Sequence, residues 1–295
     1  TYTLDHNTFI AWGRIASDVG INNFYTSTWS DYLPGYIYVL SFLSKIEKLV
    51  PITPELLFKL PAIIGDILTG GLIYLIVKRE INIKMARFAA FIFLFNPAVF
   101  ANSTLWGQVD VFTSLASLAA IYFLNINFVV SATALALGAT VKPQIAICLP
   151  IVLALIYKKW TLKKTFFYFL TFALVFVSVF IPFSTNSNNF KFILERIGVT
   201  LNQYQYGSVN AFNFWGLFGF WKKDNIGLIN PNIIGSVVAL ISSVFVGVKI
   251  FKENKNKYLA LTILFLINFL FMTRMHERHM LPIFAPLAIA TAVNI

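Results

Sequence analysis

The chain has 295 residues, of which 58% are hydrophobic and 12% charged, whereas a soluble domain carries about 25% charged residues. This composition excludes an ordinary soluble domain and predicts an integral membrane protein. The single cysteine excludes a disulfide framework. The net charge is +11, and membrane topology explains where the basic residues lie in the chain.

The basic residues are concentrated in three short segments, each of which joins two apolar runs. They are Lys78, Arg79, Lys84 and Arg87; Lys158, Lys159, Lys163 and Lys164; and Lys249, Lys252, Lys255 and Lys257. Cytoplasmic loops of membrane proteins carry an excess of Lys and Arg. We therefore predict that all three segments lie on the cytoplasmic side, and we expect no nucleic-acid partner.

A spanning helix needs about 20 predominantly apolar residues, and counting from the basic segments gives about nine spans in an all-α fold. In chain order they are residues 58–77, 88–105, 109–124, 128–141, 145–157, 165–183, 233–249, 258–272 and 280–295. Several are short for a full crossing. Because the chain begins with Thr and its last apolar run reaches the C-terminus, we interpret it as a fragment of a longer protein.

Two long segments are predicted to lie outside the membrane, on the side opposite the basic loops. Residues 36–50 form an apolar run that is short for a crossing and contains charged side chains. If this run crossed the membrane, the first basic segment would lie on the side opposite the other two. We therefore predict an interfacial helix there, within an external segment 1–57. Residues 58–295 are predicted to form a transmembrane helical domain that includes a second external segment, 184–232, which also contains interfacial helices.

Five polar motifs emerge on this external side. They are Asp5-His6, Asp31-Tyr32-Leu33-Pro34, Trp106-Gly107-Gln108-Val109-Asp110, Lys142-Pro143-Gln144 and Arg274-Met275-His276-Glu277-Arg278-His279. All three histidines of the chain belong to them. Carboxylates and cations collected on one face predict a charge-binding site at the membrane boundary.

The order and the common side of these motifs resemble the GT-C superfamily of polytopic glycosyltransferases over most of the chain. The motif at 31–34 is similar to the Asp-Tyr-Pro-Pro motif of dolichyl-phosphate-glucose glucosyltransferases, with Leu33 in place of the first proline. Asn96-Pro97 with the motif at 106–110 resembles mannosyltransferase-like members, and 142–144 and 275–278 also look like family motifs. The family's first membrane helix would precede Thr1.

The resemblance implies an inverting hexosyltransferase that takes mannose or glucose from a polyprenyl- or dolichyl-phosphate donor to a glycan, lipid or protein acceptor. Its active site would face the extracytoplasmic side of the cell membrane. A carboxylate must take the proton of the acceptor hydroxyl, and Asp5 matches the position of the family's catalytic aspartate. The alternative is that Asp5 caps the helix that contains Trp12 and Arg14.

The leaving phosphate needs cations and hydrogen-bond donors. The predicted phosphate-binding residues are Lys142, Gln144, Arg274, His276 and Arg278. An alternative for Lys142 is snorkelling to the interface. We expect Glu277 to pair with one of the two arginines, and the role of His279 stays open.

Asp31, Gln108 and Asp110 are predicted to position the acceptor or the sugar. Asp31 also precedes a Pro-Gly pair, where a turn-forming role is natural, and Asp110 starts a membrane helix, whose dipole favours a carboxylate. His6 is expected to be a solvated loop histidine. Asp66, inside the first span, is expected to make polar contacts between helices.

No cofactor is expected. A divalent metal held by Asp5, Asp110 and a histidine is the alternative, but no close-spaced ligand motif supports it, and a cation-lined phosphate site removes the need for one. Two competing functions stay open. One is a transporter or flippase of lipid-linked sugars, although such proteins often contain inverted repeats, which we do not find in the sequence. The other is a scaffold of the same fold that lacks catalysis.

Overall fold

The computed structural model describes residues 2–185, 188–225, 230–253 and 256–294, most of which are helical. This confirms the all-α class. The helices of the first half are α1 (Tyr2–Asp18), α2 (Phe24–Ser27), α3 (Pro34–Glu47), α4 (Pro54–Leu57), α5 (Leu60–Glu80), α6 (Ile83–Leu94), α7 (Pro97–Phe100), α8 (Val111–Phe123) and α9 (Phe128–Val141). A short 3-10 helix, Ile21–Asn23, precedes α2, and a π-helix, Ala101–Trp106, follows α7.

The helices of the second half are α10 (Leu149–Lys159), α11 (Leu162–Phe180), α12 (Asn189–Leu201), α13 (Pro231–Glu253), α14 (Lys257–Phe271) and α15 (Phe284–Asn294). Further 3-10 helices are Pro143–Cys148, Ile181–Phe183, Phe214–Phe218 and Glu277–Ile283. Two short strands, β1 (Ser208–Val209) and β2 (Met275–His276), pair in parallel with Ser208 opposite Met275. This pairing joins the second external segment to the loop after α14.

Three helical segments are long and apolar enough to cross a membrane: Pro54–Glu80, Leu162–Phe183 and Pro231–Glu253. The pair Ile83–Leu94 and Pro97–Trp106 would be a fourth if the 47° bend between them lies inside one span. These segments support a membrane protein. Helices α8, α9 and α14 have 13, 14 and 15 residues, short of the about 20 that a crossing needs, so helix length does not establish nine spans.

A bend at Asn96-Pro97 divides the predicted span 88–105. Pro97 has no backbone N–H and cannot extend the hydrogen-bond ladder of α6, and the Asn96 side chain accepts a hydrogen bond from the backbone N of Ala98 at 2.9 Å to begin a new helix. The π-helix then ends at Gly107, whose φ of 78° is the left-handed conformation that glycine tolerates. As a result the motif at 106–110 is buried.

Two buried clusters hold the helices together. The larger one lies among α5, α6, α8, α9, α10, α14 and α15. The second joins α1 to α3 through Phe9, Tyr36 and Leu40, and it extends to Phe58 and Val109. The predicted interfacial helix at 36–50 is therefore α3, with one face covered by α1 and α9; its position at a membrane surface stays a prediction.

The basic segments meet at one end of the helix bundle. Lys257 pairs with Glu80 across 2.9 Å, and the ring centroids of Tyr157 and Phe251 are 5.4 Å apart. The ends of α5, α10 and α13 are thereby brought together with the start of α14. The end of α9, the start of α13 and the end of α14 lie at the other end of the bundle, where they surround a cavity. The basic segments and the polar motifs therefore occupy opposite ends of the bundle.

Candidate functional site

A cavity of about 520 Å³ lies where the end of α9, the start of α13 and the loop after α14 meet. Its ionisable lining residues are Asp31, Tyr32, Lys142, Tyr204, Arg274, His276, Arg278 and His279. Asn232 and Ser243, both on α13, also line it, and the helix rises about 16 Å between them. The cavity therefore extends from the polar end of the bundle along α13.

Arg278 is the centre of the polar contacts. Its Nη1 lies 3.8 Å from Asp5 Oδ2, and its Nε lies 3.9 Å from Asp110 Oδ2. The same Nη1 is 3.5 Å from His276 Nδ1, and the guanidinium is 5.5 Å from the ring centroid of Trp106. Three of the five motifs are thus joined at one side chain that is only 14% exposed.

Lys142 belongs to this cluster through Asp110. Its Nζ donates a hydrogen bond to Asp110 Oδ1 at 2.5 Å, and both side chains are buried. A residue before proline is disfavoured in the helical conformation, so Pro143 ends α9 and leaves Lys142 extended. The snorkelling alternative for Lys142 is therefore wrong. Asp110 does stand at the start of α8, as predicted, but its side chain serves Lys142 and makes no capping hydrogen bond.

Asp5 contacts Arg278 but is not among the residues that line the cavity. It sits inside α1, so the prediction that it caps a helix is wrong. Gln108 Nε2 donates a hydrogen bond to Asp5 Oδ2 at 3.0 Å, and the Asp5 side chain is 37% exposed. Neither Asp5 nor Gln108 lines the cavity, and part of the Asp5 side chain is accessible from outside the protein.

Asp31, in contrast, is the carboxylate that lines the cavity. Burial raises the pKa of Asp31, and the nearby charges of Arg278 and Lys142 oppose that rise. The predicted Pro-Gly turn after it is wrong, because Pro34 and Gly35 form the first turn of α3. Proline is suited to that position, where its missing N–H costs nothing.

His276 and His279 form the neutral part of the site. The backbone N of His276 donates to His279 Nδ1 at 3.3 Å, and the Tyr204 ring meets His276 edge-on at 4.7 Å. Burial, reinforced by Arg278, lowers the pKa of His276 to about 2. Burial also lowers the pKa of His279. Both imidazoles are therefore uncharged hydrogen-bonding groups.

Arg274 lines the cavity, but most of its guanidinium is engaged elsewhere. Its Nε donates to Asp224 Oδ2 at 2.7 Å, and its Nη1 donates to the carbonyl oxygen of Leu201 at 2.6 Å. Thr273 also donates to Asp224, at 2.9 Å. The sequence analysis missed Asp224, a lone carboxylate after Lys222-Lys223 in the second external segment. The predicted pairing of Glu277 is wrong, since the two arginines pair with Asp5, Asp110 and Asp224 among the residues described.

Of the remaining candidate residues, Gln144 lines the cavity, whereas His6 and Asp66 do not. The Gln144 Oε1 is buried without a hydrogen bond. His6 is 5% exposed, so the prediction of a solvated histidine is wrong; it packs against Gly107, where a Cβ would lie 2.9 Å from its Nδ1. Asp66 is buried in α5 near Ser103 of the π-helix, which agrees with a role between helices.

Within the described ranges, no group of three His, Cys, Asp or Glu side chains is arranged to hold a metal ion. The guanidinium of Arg278 lies between Asp5 and Asp110, the two carboxylates of the metal alternative. No protein-family model matches the chain, and no curated protein matches it either.

Proposed function

We propose that the chain is an inverting glycosyltransferase of the GT-C type, which moves a hexose, mannose or glucose, from a polyprenyl- or dolichyl-phosphate to an acceptor hydroxyl. The observation that carries this proposal is the convergence of the polar motifs. Residues as distant in sequence as Asp5, Asp110, Lys142 and Arg278 form one cluster of charges beside one cavity.

The donor phosphate fits the cation-lined part of the cavity. Lys142 and Arg278 supply positive charge, and the neutral His276 and the Gln144 amide supply hydrogen bonds. Arg274 contributes less directly, because Asp224 and Leu201 already occupy its donors. The extension of the cavity along α13 suits the apolar chain that follows a lipid phosphate.

Transfer needs a base for the acceptor hydroxyl, and we assign that role to Asp5. The carboxylate takes the hydroxyl proton while the acceptor oxygen attacks C1 of the sugar. The bond from C1 to the phosphate oxygen breaks, and the phosphate leaves with the electron pair, so the configuration at C1 inverts. Gln108 orients Asp5, Asp110 holds Lys142, and Asp31 positions the acceptor or the sugar.

Topology and location are part of the proposal. Nine crossings would place the basic segments in the cytoplasm and the cavity on the extracytoplasmic side of the cell membrane. Several crossings would then be short helices extended by 3-10 turns, such as Pro143–Cys148 before α10. The acceptor would be a glycan, a lipid or a protein.

The first test compares Asp5→Asn with the native chain. With a polyprenyl-phosphate hexose and acceptor, release of polyprenyl phosphate is expected to fall by roughly 10²–10⁴-fold, the contribution of general-base catalysis. Asp18→Asn, on the same helix but 63% exposed and paired only with Lys48 in the described structure, is the matched control. Unchanged turnover in Asp5→Asn would overturn the base assignment.

Asp31→Asn separates the two carboxylates. A positioning role predicts a raised KM for the acceptor with a smaller loss of kcat, whereas Asp5→Asn lowers kcat. If Asp31→Asn abolishes turnover and Asp5→Asn does not, the carboxylate that lines the cavity is the base.

Metal independence is also expected, because Lys142 and Arg278 provide the positive charge at the phosphate. Transfer is measured after treatment with a chelator and again after Mg²⁺ or Mn²⁺ is restored. A rate that disappears with the chelator and returns with the metal would contradict this expectation.

A transporter or flippase of lipid-linked sugars is the second candidate. The helix breaks at Asn96-Pro97 and Lys142-Pro143 favour it, since interrupted helices line the sites of many transporters. Vesicles that hold the purified protein would then move a labelled lipid-linked sugar across the membrane without releasing polyprenyl phosphate.

A further inference from the structure

Residues 212–221, here called the aromatic turn, expose a group of large apolar side chains. Phe212 is 84% exposed, Leu217 81%, Phe218 59% and Trp221 47%. Side chains of this size rarely cluster on a surface that faces only water. Another surface is therefore expected to cover the turn.

The aromatic turn is fixed to the end of α14. Trp215 Nε1 donates a hydrogen bond to the carbonyl oxygen of Phe271 at 2.6 Å, and Asn213 Nδ2 donates to that of Met272 at 3.3 Å. The Asn213 side chain also accepts from the backbone N of Gly216 at 3.1 Å. Leu217 and Phe218 are thus presented from a defined 3-10 helix, with Phe212 before it and Trp221 after it.

Its position is level with the ends of two apolar helices. Gly235, in the first turns of α13, packs so closely on the end of α14 that a Cβ there would lie 2.3 Å from the carbonyl oxygen of Phe271. From this level α13 exposes Ile233, Leu240 and Phe245, at 61%, 64% and 66%. In a spanning helix only lipid covers such a face, so the aromatic turn lies where that lipid-facing surface ends.

Charge agrees with this position. Lys222 and Lys223 directly follow the turn, and basic side chains at a membrane boundary attract lipid phosphates. Trp and Tyr side chains are enriched at the same depth, and Trp221 of the turn is exposed. The combination of aromatic residues followed by two lysines fits the boundary between acyl chains and headgroups.

We propose that the aromatic turn inserts into the membrane interface and anchors the cavity at the level of the lipid headgroups. The occupant of the surface is phospholipid. Met272, which accepts the hydrogen bond from Asn213, also lines the cavity, so the anchor is attached to the cavity wall. The inference concerns the bilayer and holds whether or not the cavity performs glycosyl transfer.

The test uses the single cysteine of the chain. Cys148 is fully buried, so in Leu217→Cys a thiol-reactive spin label is directed to position 217. The labelled protein is placed in nanodiscs of phosphatidylcholine and phosphatidylglycerol, without substrate. Electron paramagnetic resonance then compares collisions of the label with oxygen, which concentrates in lipid, and with a water-soluble nickel chelate.

Two control positions define the scale. Phe245→Cys on α13 is expected to favour oxygen, and Gln205→Cys, exposed in the same external segment, is expected to favour the nickel chelate. Insertion at the boundary predicts that the ratio of oxygen to nickel collisions for Leu217→Cys falls between those of the two controls. A ratio at position 217 equal to that of Gln205→Cys, with both controls as expected, would overturn the proposal and leave the aromatic turn to a protein partner. Because the experiment measures no turnover, a result that overturns the membrane anchor would not bear on the proposed reaction.

Discussion

Lys142 and Asp110 form a buried ion pair, and removal of Lys142 leaves the buried carboxylate of Asp110 with the more distant Arg278, whose Nε lies 3.9 Å away. We expect Lys142→Met to cost roughly 3–5 kcal/mol of stability, seen as a lower thermal unfolding temperature in detergent. The double variant Lys142→Met with Asp110→Leu should recover much of that loss, because a well-packed apolar pair is often tolerated.

The same double variant separates structure from binding. If Lys142 contacts the donor phosphate, the double variant recovers stability but still fails to bind polyprenyl phosphate. If Lys142 serves only to neutralise Asp110, binding returns together with stability.

The buried histidines predict acid sensitivity. The pKa of His276 is about 2 in the folded chain, against 6.5 for a free histidine. Burial lowers it most; Arg278, His279 and Lys142 lower it further, and Asp110 opposes them. Below pH 6.5 the unfolded chain binds a proton that the folded chain refuses, so the free energy of unfolding falls as pH falls.

His276→Gln keeps a neutral polar group at every pH. We expect its unfolding temperature to decline less steeply with acid than that of the native chain, with His279 accounting for part of the remaining slope. Parallel pH profiles for the two proteins would contradict the assignment.

At the scale of helices, the contact between α3 and α9 sets the distance between Asp31 and Lys142. A Cβ on Gly35 would lie 2.4 Å from Thr140 Oγ1 and 2.7 Å from the Thr140 carbonyl oxygen. Gly35→Ala must therefore push the two helices apart. We expect a lower unfolding temperature and slower transfer.

Gly71→Ala is the matched control, because apart from its own turn of α5 no atom lies within 4 Å of the added Cβ. It should leave both properties nearly unchanged. Equal behaviour of the two variants would show that the close helix contact does not position the site.

The element scale also shows what sequence patterns can predict. The span predicted at 128–141 coincides with α9, because uninterrupted apolar runs determine helix position directly. The solvated position of His6 was predicted wrongly, and so was the alternative that Asp5 caps a helix. The burial of His6 and the position of Asp5 inside α1 depend on how that helix folds and packs. The pair Asp224–Arg274 joins residues 50 positions apart, and no local pattern indicates such a contact.

At the scale of the whole molecule, charge distribution was the most informative signal. The basic segments meet at one end and the polar motifs at the other, although the short helices do not show how many times the chain crosses the membrane. Labelling can test the sides: in sealed vesicles, Lys159→Cys and Gln205→Cys should react with a membrane-impermeant thiol reagent from opposite faces. Reaction of both from one face would contradict the proposed topology.

The exposure of α13 has a consequence for the cavity that it helps to form. From Pro231 to Phe245 only Gly235 is buried among its residues, yet Asn232 and Ser243 line the cavity. Lipid covers the exposed face of a spanning helix, so this wall of the cavity would also border the bilayer. In the proposed reaction, the isoprenoid chain of the donor would therefore reach the cavity sideways past α13, without leaving the acyl chains for water.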